Sequence, residues 1–304
     1  MTATRRAARS GAPTDAGRSP HEVRAAVAAR LEAAGVPSPQ ADARWLVEHV
    51  ADGVGEPATD PAAARALAAL VERRAAREPL QLLLGSWAFR TVELACEPAV
   101  FLPRPETEVV AGLAVEAARA AGPHPRVAEP CTGGGAISCA LVAEVPGVEV
   151  VATDRDARAV AAARRNLARV LDGRAGRAAA GAHGEVRHGD LLGPVDPSWR
   201  GHLDVLVANP PYLPAADRDT WPPEVADHDP PSALIGGDDG HEVVDRLLAL
   251  AADWLAPGGL VVLEIDERRG DDACAAAARH GLVGARTVTD LAGADRAVTA
   301  RRSL

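Results

Sequence analysis

Two stretches of this chain have the residue types and spacing to do chemistry. The first is Asn209-Pro210-Pro211-Tyr212, directly after Leu203-Asp204-Val205-Leu206-Val207-Ala208. That apolar run with β-branched residues reads as a buried parallel strand. Each proline lacks an N–H and fixes φ, and a residue before proline is pushed out of the α region, so the strand must end in a stiff turn. The carboxyl end of a strand is where open α/β sheets place their ligands. Tyr212 is also the only tyrosine in the chain. A Pro-rich turn with a packed aromatic is the plainer alternative, and the motif alone does not choose between them.

The second stretch is Cys131-Thr132-Gly133-Gly134-Gly135, which follows a short strand, Val127-Ala128-Glu129-Pro130, and opens a helix at Ala136. Glycines let backbone approach a ligand, and free N–H groups at a helix N-terminus point toward it. Val148 to Thr153 then reads as a second strand with Asp154 at its end. An acid about twenty residues past such a loop can accept both ribose hydroxyls of a nucleoside. A third strand, Glu185-Val186-Arg187, leads to His188-Gly189-Asp190, and Asp190 with Leu191 falls where an adenine edge would lie. Asp154 could instead cap the next helix, and Asp190 could be a turn residue. The loop is not the pyrophosphate-type GxGxxG, which disfavours an NAD-type dehydrogenase. A nucleoside without a diphosphate suits better, S-adenosyl-L-methionine being the common one.

The bulk numbers bound the classes. The chain has 304 residues, enough for two domains. Its net charge of −9 argues against general binding to nucleic-acid backbone. All 33 basic residues are arginine, which excludes a lysine Schiff base and a P-loop lysine. The four cysteines (Cys96, Cys131, Cys139, Cys274) form no CxxC pair and no metal-ligand spacing, as expected of free thiols in a reducing cytoplasm. No apolar run reaches the length of a membrane span. The expectation is a cytoplasmic monomer with no metal.

The elements that must position these residues follow in order. Residues 1–20 read as a disordered tail without a signal-peptide core. Residues 21–85 read as three or four helices. They form either a packing appendage or a module that recruits substrate, and the second reading is adopted. Residues 86–102 read as a β-hairpin linker, with Trp87, Phe89, Val92 and Leu94 on its strands. Residues 103–304 alternate strand and helix, giving five parallel strands and a terminal hairpin. This is an α/β, Rossmann-like layout of the class I S-adenosylmethionine-dependent methyltransferase type. Leu213 to Asp239 is a long polar segment read as a flap over the site, with His228 and Asp229 given no role.

Several motifs together resemble the HemK-type (PrmC-type) protein-glutamine N5-methyltransferases. They are Ala41-Asp42-Ala43, Pro79-Leu80-Gln81, Pro103-Arg104-Pro105-Glu106-Thr107-Glu108, the Gly-rich turn, Asp154, Asn209-Pro210-Pro211-Tyr212, Ala233-Leu234 with Gly236-Gly237, and Pro257-Gly258-Gly259. The likeness covers about residues 21 to 302. It implies that Cys131, Thr132, Gly133, Gly134 and Gly135, with Glu129 beside them, hold the methionine end of S-adenosyl-L-methionine. It places Asp154 on the ribose and Asp190 and Leu191 beside the adenine. Asn209 and Pro210 would hold the substrate amide, with Pro211 and Tyr212 completing the substrate site. The chain departs from the family at Glu129 and Cys131 (usually Asp and Gly) and at Asp266 and Arg269 (usually Gly and Gln), departures expected of a diverged paralogue.

The chemistry implied is differential binding of an amide. An amide NH₂ carries two protons and needs two acceptors, which the Asn209 side-chain oxygen and the Pro210 carbonyl would supply. Both would strengthen as positive charge grows on nitrogen during methyl transfer. The protein partner implied is a peptide-chain release factor, modified in a Gly-Gly-Gln loop. Two other functions compete: an amino-methyltransferase acting on adenine or guanine of DNA or rRNA, and a non-catalytic binding protein that kept the fold.

Overall fold

The computed structural model describes residues 19–290 and 292–304. Apart from its last two residues, the tail expected over 1–20 lies outside them. The chain divides into two compact units between Leu84 and Gly85.

The first unit is helical: α1 (Pro20–Ala33), α2 (Pro39–Gly53), α3 (Pro61–Ala75) and the short α4 (Leu80–Leu84). Proline opens each of the first three, where its missing N–H costs nothing. Ser19 and Glu22 form a capping box on α1, and Asp60 caps α3 through the Ala62 N–H at 2.8 Å. Val23, Val27, Leu31, Leu46, Val50 and Leu67 recur at helical spacing and are buried. Among them lies a buried ion pair, Arg74 Nε to Asp42 Oδ2 at 2.7 Å.

The second unit begins with the hairpin β1 (Ser86–Phe89) and β2 (Val92–Ala95). It is built into this unit's core: Phe89, Val92 and Leu94 are buried there, and Asn166 bonds both the N–H and the carbonyl of Ala95. The main elements follow as α5 (Thr107–Ala121), β3 (Arg126–Pro130), α6 (Ala136–Glu144), β4 (Glu149–Asp154), α7 (Ala157–Leu171), β5 (His183–His188) and β6 (Leu203–Ala208). Next come α8 (Pro223–Ala226), α9 (Pro231–Leu234), α10 (Glu242–Trp254), β7 (Leu255–Glu264), α11 (Gly270–Arg279), β8 (Val283–Thr289) and β9 (Asp295–Arg301).

The seven strands lie in the order β5-β4-β3-β6-β7-β9-β8, with β3 to β7 parallel and β9 antiparallel to both its neighbours. Successive strand residues alternate between two apolar clusters. Val127, Val150, Val205 and Val262 pack on α5, α6 and α7; Ala128, Val151, Leu206 and Val261 pack with α10 and α11. Burial on both faces explains why these strands read as unbroken apolar runs. Pro257-Gly258-Gly259 lies within β7 as an irregularity, because Leu255 already pairs with Leu203 before the register resumes at Val205↔Leu260. The segment read as a flap carries short helices: α8 and α9 each start on a proline, and Leu213 bridges to Ile235.

The sheet reverses its winding between β3 and β6. These strands pair only at Val127↔Val205 and Ala128↔Leu206, then part toward their carboxyl ends. A crevice opens there, where ligands bind in folds of this kind. Among the described residues, no helix is long and apolar enough to cross a membrane.

Replacing Asp42 by alanine would take away the carboxylate that meets the buried Arg74 Nε at 2.7 Å, while the Glu78 carbonyl keeps its bond to Nη1 at 3.1 Å. Urea unfolding of the Asp42→Ala chain is expected to show a loss of about 3–5 kcal/mol in the helical unit's transition; a change within error would show that the pair contributes nothing net.

Candidate active site

The crevice is walled by strand ends and the loops that leave them, and holds a cavity of about 90 Å³. β3 delivers Glu129. The turn beyond it is tight: Cys131, Gly133 and Gly135 have φ of 60°, 55° and 83°. A Cβ on Gly135 would stand 3.1 Å from Ala163 of α7, so the loop is pressed onto that helix. The left-handed region is easy for glycine and costs other residues about 1–2 kcal/mol; Cys131 bears that strain.

Glu129 is buried at the cavity wall. Its Oε2 accepts the Thr132 hydroxyl and the Ser138 N–H, both at 2.9 Å, and the Ser138 hydroxyl. Burial pushes the carboxyl up to about 8, with those donors pulling the other way. The Cys131 thiol also lines the cavity, and burial pushes it to about 12, so it stays protonated and is a poor nucleophile.

Asp154 ends β4. Its Oδ2 accepts the Gly133 N–H and its Oδ1 the Asp156 N–H, each at 2.9 Å, and burial raises its pKa. Capping of α7 belongs to Asp156, which accepts the Arg158 N–H at 2.8 Å. Asp154 is therefore a clamp on the Gly-rich loop as well as a cavity residue. The loop presents less bare N–H than its glycines suggest: the Thr132, Gly133 and Gly135 amides are held by Thr153, Asp154 and Thr132. Farther along the wall, Asp190 pairs with Arg246 of α10, and Leu191, itself at φ 45°, accepts the Thr153 hydroxyl on its carbonyl.

β6 delivers the Asn209 turn to the opposite wall. Asn209 Nδ2 donates to Thr107 Oγ1 at 3.1 Å, which leaves Oδ1 for the cavity that the residue lines. Pro211 also lines the cavity; Pro210 is buried beside it. Tyr212 does not line it. Its ring packs against the α10–α11 side of the core, and its hydroxyl donates to Glu264 Oε1 at 3.1 Å. Gly135 likewise lies behind the wall. The remaining sequence-read residues, Glu129, Cys131, Thr132, Gly133, Gly134, Asp154, Asp190, Leu191 and Asn209, share this one cavity.

The structure adds residues that sequence reasoning gave no role. Glu264, at the end of β7, is buried; burial pushes its carboxyl up to about 7, while the nearby Thr107 and Tyr212 hydroxyls hold it down. Asp229, in the segment read as a flap, is also buried and pairs with Arg104, which lies over the Phe101 ring at 5.1 Å. Gly236 has no room for a side chain: a Cβ would sit 2.4 Å from the Pro211 carbonyl oxygen. One from Gly240 would sit 2.4 Å from that of Tyr212. The Pro103–Glu108 motif and the Gly236-Gly237 pair were the visible signals. At the departures, Asp266 caps a 3₁₀ turn and pairs with Arg268, which also reaches Asp217, while Arg269 pairs with Asp272. Among the described residues, no group of three or more His, Cys, Asp or Glu is placed to hold a metal.

A cavity with two buried carboxyls, small backbone-lined surfaces and an amide oxygen can take a ligand bearing a cation and hydroxyls, with a second, amide-bearing group alongside. Comparison with known proteins shows the family of the chain. The family model for the methyltransferase small domain matches residues 112–220. The release factor glutamine methyltransferase of Deinococcus radiodurans is 42% identical over 284 residues, covering 90% of this chain and 95% of that protein. The proteins of the same name from Streptomyces coelicolor and Mycolicibacterium smegmatis are each 40% identical, covering 90% and 91% of this chain and 95% of each relative. The fold is the Rossmann-like one of class I methyltransferases, as its strand order and the matched model require.

Two measurements check this electrostatic picture. Tyr212 is the sole tyrosine, and burial, then Glu264, holds its pKa well above the ordinary value. Tyrosinate absorbance is expected to be absent from the native chain at pH near ~10 and to appear there once urea unfolds it; native ionisation at that pH would put the phenol elsewhere. Glu129 is protonated in the folded chain up to about 8 but ionised above 4.5 when unfolded, so the unfolded state binds fewer protons between those values and stability falls as pH rises through the window. Thermal melts of ligand-free Glu129→Gln should gain on the parent chain from pH 5 to 8 and level off above; a pH-independent gap would refute the assignment.

Proposed function

The chain belongs to the release factor glutamine methyltransferase family, and on that premise we propose that it transfers a methyl group from S-adenosyl-L-methionine to the side-chain amide nitrogen (N5) of a glutamine in a peptide-chain release factor, within a Gly-Gly-Gln loop. The observation that carries the reading is Asn209. Its NH₂ is held by Thr107 and its oxygen is left to the same cavity that Glu129 and Asp154 wall on the other side.

The residues present fit the cofactor. Glu129 has one oxygen crowded by three donors and the other free of them, and the ammonium of the methionine end, set beside that free oxygen, would draw the carboxyl's proton off and pair with it as a carboxylate. Each Asp154 oxygen keeps a lone pair beyond its backbone bond for a ribose hydroxyl. Leu191 and Asp190 continue the wall toward the adenine. Cys131 narrows the loop where the family carries glycine. When bound, S-adenosyl-L-methionine supplies a methyl group on a sulfonium.

The chain's own contribution is alignment and charge. Asn209 Oδ1 accepts one proton of the glutamine NH₂, and the Pro210 carbonyl is assigned the other. Nitrogen is thereby aimed along its lone pair, and alignment of this kind is worth up to ~7–11 kcal/mol in ideal cases. As nitrogen gains its bond to carbon it turns positive, and both acceptors then bind it more strongly than in the ground state. The methylated nitrogen sheds its extra proton readily, so no strong base is required. Tyr212 is assigned to support the turn from behind rather than to stack on the amide. The helical unit is assigned to substrate recruitment, and a cytoplasmic monomer goes with a release-factor substrate.

The test is methyl transfer from labelled S-adenosyl-L-methionine to purified release factor, DNA and rRNA, with the modified residue mapped. Label on the Gly-Gly-Gln glutamine is expected; label on nucleic acid alone overturns the reading, and no cofactor binding by calorimetry would mark a non-catalytic relative. Asn209→Ala is expected to lower kcat by about 10²–10³, as removal of one transition-state hydrogen bond does elsewhere.

A further inference from the structure

The cavity measures about 90 Å³, well below the ~300–1,000 Å³ of sites that enclose a drug-sized ligand. A nucleoside joined to an amino acid is a ligand of that size, so one wall has to give way to admit it and return to hold it. Two walls are tied down through their backbone. The Gly-rich loop is pinned by its Thr132, Gly133 and Gly135 amides, and its Gly134 carbonyl accepts Asn166 Nδ2 at 2.9 Å. The Asn209 turn has Gly236 and Gly240 packed against the Pro211 and Tyr212 carbonyls.

A third wall is made by Pro230, Ser232 and Ala233. They belong to a loop closed at its neck, where the Leu213 N–H donates to the Leu234 carbonyl at 2.9 Å and the Gly236 N–H to the Leu213 carbonyl at 3.0 Å. Beyond the neck, arginines from three other segments reach the loop: Arg268 to Asp217, Arg155 to the Ser232 carbonyl, and Arg104 to Asp229. The first two contacts are exposed, and such contacts hold little. The third is different. The Asp229 side chain is fully buried, with Arg104 on Oδ2 and no hydrogen-bond partner on Oδ1. Breaking a buried pair by removing one partner is strongly unfavourable, so this contact dominates the hold on the loop. Both partners are also stiffly mounted. Arg104 stands between Pro103 and Pro105, and Asp229 is followed by Pro230 and Pro231, so the wall residues move with Asp229.

We propose that the Arg104–Asp229 pair is the latch of the cofactor cavity: it holds residues 229–233 as a wall, and its parting sets the rate at which S-adenosyl-L-methionine enters and leaves. Arg104 and Asp229 are positioning residues, since neither lines the cavity and each acts through the wall. The proposal rests on the cofactor reading above. A latch that does not touch the ligand holds the wall equally with and without it. Its loss therefore raises entry and exit by one common factor and leaves the affinity in place.

The test has two arms on the full chain. Asp229→Asn keeps the shape of its side chain, Arg104→Met keeps a stem over Phe101, and each removes one charge. The first arm is hydrogen exchange without ligand. The Ala233 and Ile235 amides, bonded to the Pro230 and Pro231 carbonyls, are expected to exchange at least ~10-fold faster in either variant, with the sheet unchanged. A rise spread over the chain would mean that the pair only stabilises the fold, and no rise would mean that it holds nothing; both overturn the latch. The second arm is stopped-flow binding of S-adenosyl-L-methionine. Association and dissociation are expected to quicken together, at least ~10-fold, with Kd moving less than ~3-fold. Faster dissociation alone would make Asp229 a support for bound ligand and overturn the latch. The double variant is expected to go no further than either single one, and an additive rise would separate the two residues and refute the pair. Arg268→Ala, which cuts the exposed tether to Asp217, is expected to stay within about twofold of the parent rates; a rise equal to that of Asp229→Asn would spread the hold over the whole loop and overturn the assignment. A parent chain that binds no S-adenosyl-L-methionine removes the cofactor reading, and the exchange arm still judges the wall. Unmoved exchange removes the latch and leaves methyl transfer standing.

Discussion

A carboxyl group taken out of water must be given hydrogen-bond donors or must keep its proton, and three strands of this sheet each end in one. Glu129 closes β3, Asp154 closes β4 and Glu264 closes β7, and burial raises the pKa of all three. Each draws donors from the segments around it. Glu129 takes Thr132 and Ser138, Asp154 takes the Gly133 and Asp156 amides, and Glu264 takes the Tyr212 hydroxyl. The loops that form the crevice are therefore shaped by what the strand ends need. This is an expensive way to hold a loop, because desolvation opposes every charge involved. It also leaves acceptor lone pairs around a cavity that has to take a cationic, hydroxyl-bearing ligand.

The same logic accounts for the side of the crevice built from the long segment after Tyr212. Buried Asp229 is met by Arg104 from the Pro103–Glu108 turn, and Gly236 and Gly240 let backbone pack within touching distance of Pro211 and Tyr212. Arg268 ties Asp217 to Asp266. Asp266 and Arg269 thus serve local ion pairs, while Glu129 and Cys131 line the cavity itself. Of these, Cys131 is the one that carries a physical cost on its own backbone, since its φ belongs to glycine.

Much of the fold was legible beforehand. Parallel strands buried on both faces leave continuous runs such as Val205 to Ala208, and prolines at N1 mark where helices begin; both are local signals that tertiary context reinforced. Less legible was the division of labour among polar residues. Asp154 and Asp156 are equally good cap residues by type, and only packing shows that Asp156 caps α7 while Asp154 clamps Gly133. Tyr212, next to the key turn, reads as a residue that touches substrate, yet its ring goes into the core, where apolar neighbours from the α10–α11 side and the Glu264 carboxyl receive it.

By itself the sequence determined the elements, the class of fold and the two stretches that flank the crevice, because periodicity, proline and glycine act over a few residues of chain. Only the tertiary structure decided which of those polar groups face each other. Thr107 and Asn209 are far apart along the chain, as are Tyr212 and Glu264, yet each pair meets at 3.1 Å behind the turn after β6. No local pattern encodes those pairings, since they come from strands and helices packing around all four residues at once.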